Sequence, residues 1–165
     1  MAELRLIALV VVAACRQAAG AEPPAPAHSG IAPPAGWQPL PALAVAVTSA
    51  AQTAGIAIDG TEAWGETAMG CYAVWIAMSG GDAGADALAD QIFAGLTAEH
   101  IAVRDLAKPT GDSGKLQLVF ERAPYHGRLR ANLDRGSVVA LACFANQREP
   151  IACDAACNAL LGGAP

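Results

Sequence analysis

Residues 70–78 alternate without presenting a polar face: Tyr72, Val74, Ile76 and Met78 point one way, and Cys71, Ala73, Trp75 and Ala77 the other. Successive side chains of a strand leave opposite faces of its sheet. A strand that is apolar on both faces belongs in the middle of a sheet with cover on both sides. The rest of the chain must supply that cover. Leu43, Val47, Ala50 and Ala54 recur at helical spacing, which predicts a helix from Pro41, a residue tolerated at a first helical position, to Gly55. Gly80 and Gly81 break the chain before a second helix at 82–97, whose Ala85, Leu88, Ile92 and Leu96 form a buried stripe and whose Asp82 is a candidate cap.

A short strand at 101–106 follows. Leu116, Leu118 and Phe120 then alternate with Gln117 and Glu121, and Leu129, Ala131 and Leu133 with Arg128, Arg130 and Asn132, which predicts a hairpin. Closing it around Pro124 and Tyr125 sets Phe120 opposite Leu129, Leu118 opposite Ala131 and Glu121 opposite Arg128 as an ion pair. A turn at 134–137 leads to a strand at 138–145, where a one-residue slip exchanges Cys143 for Phe144 on the core face. Pro150 opens a last helix through Leu161, stopped by Gly162 and Gly163. The expected fold class is α+β: a single domain with a mainly antiparallel sheet covered by helices. Element order, with no motif to accompany it, is similar to the PsbP or Mog1-like fold of some exported bacterial proteins. Trp37 and Trp64, outside these elements, are expected to cover the core.

The N-terminus is of another kind. Its apolar run, Leu6 to Ala14, is too short to span a bilayer as a helix but fits a secretory h-region. Val12, Ala13, Ala14 and Cys15 resemble the lipobox of bacterial lipoproteins, in which the cysteine becomes the lipidated first residue of the mature chain. The resemblance implies a signal peptide at 1–14 and lipidation at Cys15. Ala19, Gly20 and Ala21 offer a rival cleavage site that would discard Cys15. Pro23, Pro24, Pro26, Pro33 and Pro34, without apolar periodicity, predict a disordered, lipid-anchored tether over 15–38, long enough to hold a globular domain at 39–165 up to roughly 60 Å from the anchor. Arg16 stands where an Asp commonly signals inner-membrane retention in such lipoproteins, so the expected location is the cell envelope, at the outer membrane on its periplasmic or outer side.

Cysteine parity agrees with export. Setting Cys15 aside leaves four thiols, Cys71, Cys143, Cys153 and Cys157, an even number that suits two disulfides in an oxidising compartment. Two cysteines four apart on one helix have β-carbons about 5–6 Å apart, too far for a disulfide. If the last helix folds back along the last strand, Cys143 lies about 10 Å before the strand end and Cys157 about 10 Å into the helix. That favours Cys143 with Cys157 and Cys71 with Cys153. A zinc site would want closer pairs, so no metal is expected. Thiol oxidoreductases use CxxC at a helix start, and here three residues separate Cys153 from Cys157.

The formal net charge is −5. Residues 16–103 hold one Arg against eight acids, and residues 104–165 hold eight bases against six. An acidic chain is a poor nucleic-acid binder, because that binding rests on clustered Lys and Arg. There is no GxSxG, P-loop or GxGxxG, and Ser49, Ser79, Ser113 and Ser137 lie in no nucleophile pattern for His28, His100 or His126. Asp82, Asp86 and Asp90 read as a solvated helix face without the further oxygens that calcium takes. No cofactor is implied. Arg122, Tyr125, His126, Arg128 and Arg130 surround the hairpin and form the candidate contact for an anionic partner, since guanidinium groups bind carboxylates and phosphates bidentately. The expected role is a noncatalytic, lipid-anchored binding or assembly module for an envelope protein or anionic glycan. The alternative is a small envelope enzyme with thiol-disulfide or hydrolytic activity.

Overall fold

Strand β3 (Cys71–Ser79) runs through the middle of the molecule, between β2 (Ile58–Glu66) and β7 (Ser137–Asn146). The computed structural model describes residues 27–79, 81–146 and 150–163. The expected signal peptide, Cys15 and the expected tether as far as residue 26 lie outside the described residues. The remaining elements are β1 (Gln38–Pro39), α1 (Pro41–Thr53), α2 (Ala85–Ala98), β4 (Ala102–Ala107), β5 (Gly114–Arg122), β6 (Tyr125–Asp134) and α3 (Pro150–Gly163). All strand pairs are antiparallel, in the order β1-β2-β3-β7-β6-β5-β4. The chain is therefore one α+β domain, built mainly on its sheet.

The two faces of β3 enter different layers. Val74, Ile76 and Met78 join the larger core, where α1 contributes Leu43, Val47 and Ala51 and α2 contributes Leu88, Ala89, Ile92 and Leu96. Each of the Val, Leu, Ile and Met side chains among them, taken fully out of water, contributes about 1.5–3 kcal/mol. Cys71, Ala73, Trp75 and Ala77 enter a second layer, with Trp64 of β2, Leu141 and Cys143 of β7, and Cys153, Cys157 and Leu160 of α3. Strand β7 is buried on both faces like β3, so Phe144 faces the larger core and Cys143 the second layer. Among the described residues no helix is long and apolar enough to cross a membrane.

Helix α1 starts at Pro41 as expected, and Gly55, at φ 76°, takes the left-handed position past its end. Helix α2 starts three residues later than the sequence suggested. Asp82 does not cap it; Gly84 holds the N-cap position, and the Asp86 backbone N–H donates to the Gly111 carbonyl at 3.2 Å. A neighbouring loop thus takes up one of the first-turn donors that a side-chain cap would otherwise satisfy. A β-carbon on Gly84 would sit 3.1 Å from Asp112 Oδ1, so the close approach of that loop favours glycine here.

The hairpin differs from the expected register by two residues. Leu118 pairs with Leu129, Phe120 with Gly127, and Glu121 with His126, because only Ala123 and Pro124 separate the paired ends Arg122 and Tyr125. A shift of two leaves every side chain on its own face, so the alternation alone could not tell these registers apart. Gly127 gives the Phe120 ring its room: a β-carbon there would lie 2.6 Å from Phe120 Cζ and from the Cys143 carbonyl oxygen. The expected ion pair changes with the register. Glu121 instead meets Arg104 at 3.1 Å, and Arg128 turns to α3.

Two elements were absent from the sequence reading, β1 and β2. Strand β2 mixes three acids and two glycines with its apolar residues, yet it places Ala63 in one core and Trp64 in the other. The solvated tether expected through residue 38 gives way at residue 27. Ala27, Ile31 and Trp37 pack on the second layer, and the Ala27 N–H donates to the Asp59 carbonyl at 2.9 Å. Residues 27–37 form a strap along the β2 side of α3.

Candidate binding groove

Helix α3 lies as a bar across the second face of the sheet, and four attachments hold it. Cys153 is bonded to Cys71 of β3, and Cys157 to Cys143 of β7, each with Cα atoms 5.6 Å apart. Spaced four apart, the two helical cysteines point from one side of the helix to two adjacent strands. On β6, Arg128 Nη1 donates to Asn158 Oδ1 at 2.5 Å and Nη2 lies 3.6 Å from Asp154. Arg130 Nη1 donates to the Leu161 carbonyl at 2.5 Å, in the last turn of the helix. A cation at this end also complements the partial negative charge of the helix C-terminus.

Strand alternation divides the five residues proposed around the hairpin. Arg122 and Tyr125 lie on the α1/α2 side. Arg122 is 3.8 Å from Glu99 at the end of α2, and the Tyr125 ring meets Tyr72 and Phe144 edge-on at 6.2 and 6.0 Å. His126, Arg128 and Arg130 point to the opposite side, toward α3. The five therefore do not form one surface.

Between α3 and strands β5 and β6 lies a groove of about 360 Å³. Gln117 and Val119 form its floor, Arg128 and Arg130 one flank, and Asn158, Leu161 and Gly162 the helical wall. Arg130 is half-buried. Its Nε is buried without a hydrogen-bond partner, and the guanidinium's hydrogen bond runs to a carbonyl rather than a carboxylate. A second cleft, of about 380 Å³, runs on the other side of α3 between the strap and Ala159 and Leu160; it has no charged lining.

The strap carries a polar cluster the sequence did not announce, because its partner is more than 30 residues away. Glu62 of β2 accepts hydrogen bonds from Ser29 Oγ at 2.5 Å and from the Ser29 N–H at 3.0 Å, and His28 Nδ1 lies 3.4 Å away. Burial alone would raise the Glu62 carboxyl, but the Ser29 hydrogen bonds, with His28, outweigh it and hold it below its ordinary range. Serine, histidine and a carboxylate meet here, but not as a catalytic triad. The Ser29 hydroxyl donates straight to the carboxylate, and His28 faces that same carboxylate rather than the hydroxyl. The four disulfide sulfurs belong to residues at most 4% exposed, out of reach of an attacking thiolate.

The other candidates stay apart. Asp82, Asp86 and Asp90 are exposed, and Asp90 accepts from Lys108 at 2.5 Å. His100 sits at φ 57° just past α2. Among the described residues no three metal-ligating side chains converge. No protein-family model matches the chain, and no curated protein matches it.

Proposed function

We propose that this chain is an exported, lipid-anchored binding module of the bacterial cell envelope, held at the outer membrane through Cys15 and presenting the groove beside α3 to an envelope partner. The observation that carries the reading is the double attachment of α3. Two buried disulfides hold the helix on the sheet, and they suit an oxidising compartment. The same helix forms a fixed wall for a groove that contains two oriented arginines. Binding sites gain affinity when their polar groups are positioned before the ligand arrives. The apolar run ending at Cys15 supports the anchor, and the stretch of 11 residues between Cys15 and Ala27 would let the domain stand off the bilayer by up to about 35 Å.

Intact-mass measurement on protein extracted from the membrane fraction tests this reading. The expected result is a chain that begins at Cys15, carries the added mass of acyl groups and lacks four hydrogens for two disulfides. Full-length, unacylated chain with free thiols in the soluble fraction would overturn it.

A further inference from the structure

The charges around the groove select the chemistry of its occupant. Three arginines lie on this face of β4–β6. Arg104 is balanced by Glu121 at 3.1 Å, and Arg128 faces Asp154 at 3.6 Å. Arg130 meets no carboxylate among the described residues, and its Nε has no hydrogen-bond partner. A half-buried guanidinium without a counter-ion is a standing cost that an anion in the groove relieves.

The size of the charge decides which anion. Within the groove lining one positive charge meets no carboxylate, and the α3 C-terminus beside it offsets about half of that charge. A monoanion matches the remaining half charge more closely than a dianion does. A phosphate monoester carries about −1.5 to −2 and would meet Asp154 and the helix carbonyls with excess charge. The planar guanidinium fork also matches a planar carboxylate bidentately. The rest of the lining is two amides, Gln117 and Asn158, with the apolar Leu118, Val119, Leu129 and Leu161 and with Gly162. That combination suits a ring with hydroxyls on its rim and C–H groups on its face. A groove of about 360 Å³ is at the small end of ligand sites, the right scale for one or two sugar units.

We propose that the groove between α3 and β5–β6 binds a uronic-acid-type sugar, with Arg130 gripping its carboxylate and Gln117 and Asn158 meeting its hydroxyls. The proposal rests on the reading of the chain as an envelope binding module and names the ligand class of that site.

Calorimetric titration of the mature, oxidised protein tests it with four probes: digalacturonate, its methyl diester, inorganic phosphate, and vesicles of phosphatidylglycerol with phosphatidylethanolamine. Digalacturonate is expected to bind, with the diester at least tenfold weaker. Arg130→Gln is expected to lower digalacturonate affinity at least tenfold, and Arg130→Lys by less, because lysine keeps the charge and loses the fork. Val45→Ala, on the outer side of α1, leaves binding unchanged. The disulfides hold α3 in each variant, and mass and circular dichroism check that the fold is kept. The proposal is overturned if digalacturonate does not bind, if acid and ester bind equally, if phosphate or vesicles bind at least as tightly, or if Arg130→Gln binds like the parent. Acylated envelope protein that ignores digalacturonate rejects the ligand and keeps the parent reading; an unacylated cytosolic chain that binds it does the reverse.

Discussion

Arg128 and Cys143 face each other across the β6–β7 ladder, and both reach the same turn of α3, Cys143 through its bond to Cys157 and Arg128 through its hydrogen bond to Asn158. A covalent and a polar attachment therefore act side by side on one helix, and their energies should be coupled. The arginine's tie is partly exposed, so Arg128→Gln alone is expected to destabilise by less than about 1 kcal/mol while the bond is intact. Residues sharing a partner depart from additivity by about 0.5–3 kcal/mol. A double-mutant cycle with the Cys143/Cys157 pair replaced by alanines, measured by urea unfolding, should give a coupling in that range; strict additivity would show that the two attachments act independently.

The disulfides themselves differ in the loops they close. The Cys143–Cys157 bond spans 14 residues and the Cys71–Cys153 bond 82. In the chain-entropy model these are worth about 3 and about 4.5 kcal/mol. Replacing the Cys71–Cys153 pair by alanines should therefore lower the denaturation midpoint more than replacing Cys143–Cys157. A reversed order in matched urea titrations would point to native-state enthalpy rather than loop entropy.

Glu62 ties the strap to β2, and its carboxyl is held below the ordinary range. A group with a depressed folded pKa binds fewer protons folded than unfolded, so its contribution to stability is present above the unfolded carboxylate pKa and is lost as pH falls through the folded value. Hydrogen exchange at residues 27–37 should accelerate in that acid window. Glu62→Gln should weaken the strap by about 1 kcal/mol near neutral pH and flatten the pH dependence there. An exchange profile that keeps its acid rise in Glu62→Gln would assign the effect to another group.

Gly127 lies under the Phe120 ring, with no room for a β-carbon. Gly127→Ala must push the β7 backbone or the ring aside, an overpacking that costs about 1–3 kcal/mol. Thermal unfolding should show a melting point several degrees lower. An unchanged melting point would mean that Phe120 can move away freely.

Much of the sheet could be read from the chain, for a reason visible in particular residues. Tyr72 to Met78 and Leu116 to Leu133 carry unbroken alternation, and alternation reports which face a side chain takes. It says nothing of register shifts by even numbers, so it fits Phe120 opposite Leu129 as well as opposite its actual partner, Gly127. The cysteine pairing followed from two fixed quantities, the rise of a strand and the rise of a helix. Strand β2 was hidden because Asp59, Gly60, Glu62, Gly65 and Glu66 dilute its pattern; Trp64 becomes a core residue only when the strap and α3 cover it. The strap was hidden by its prolines, which describe a solvated chain unless a distant carboxylate such as Glu62 captures it. For the candidate site, residue type alone singles out Arg128 and Arg130. Their shared groove depends on α3 folding back, and that arrangement is set by tertiary contacts.

The two cysteines of α3 have a temporal consequence. Each bond needs a sulfur from near the end of the chain, while Cys71 emerges 82 residues before its partner. During synthesis, the tryptophan-bearing side of the sheet therefore waits uncovered until α3 arrives. Oxidation is a late seal, and a chain cut short before Cys153 would leave that side bare and sticky.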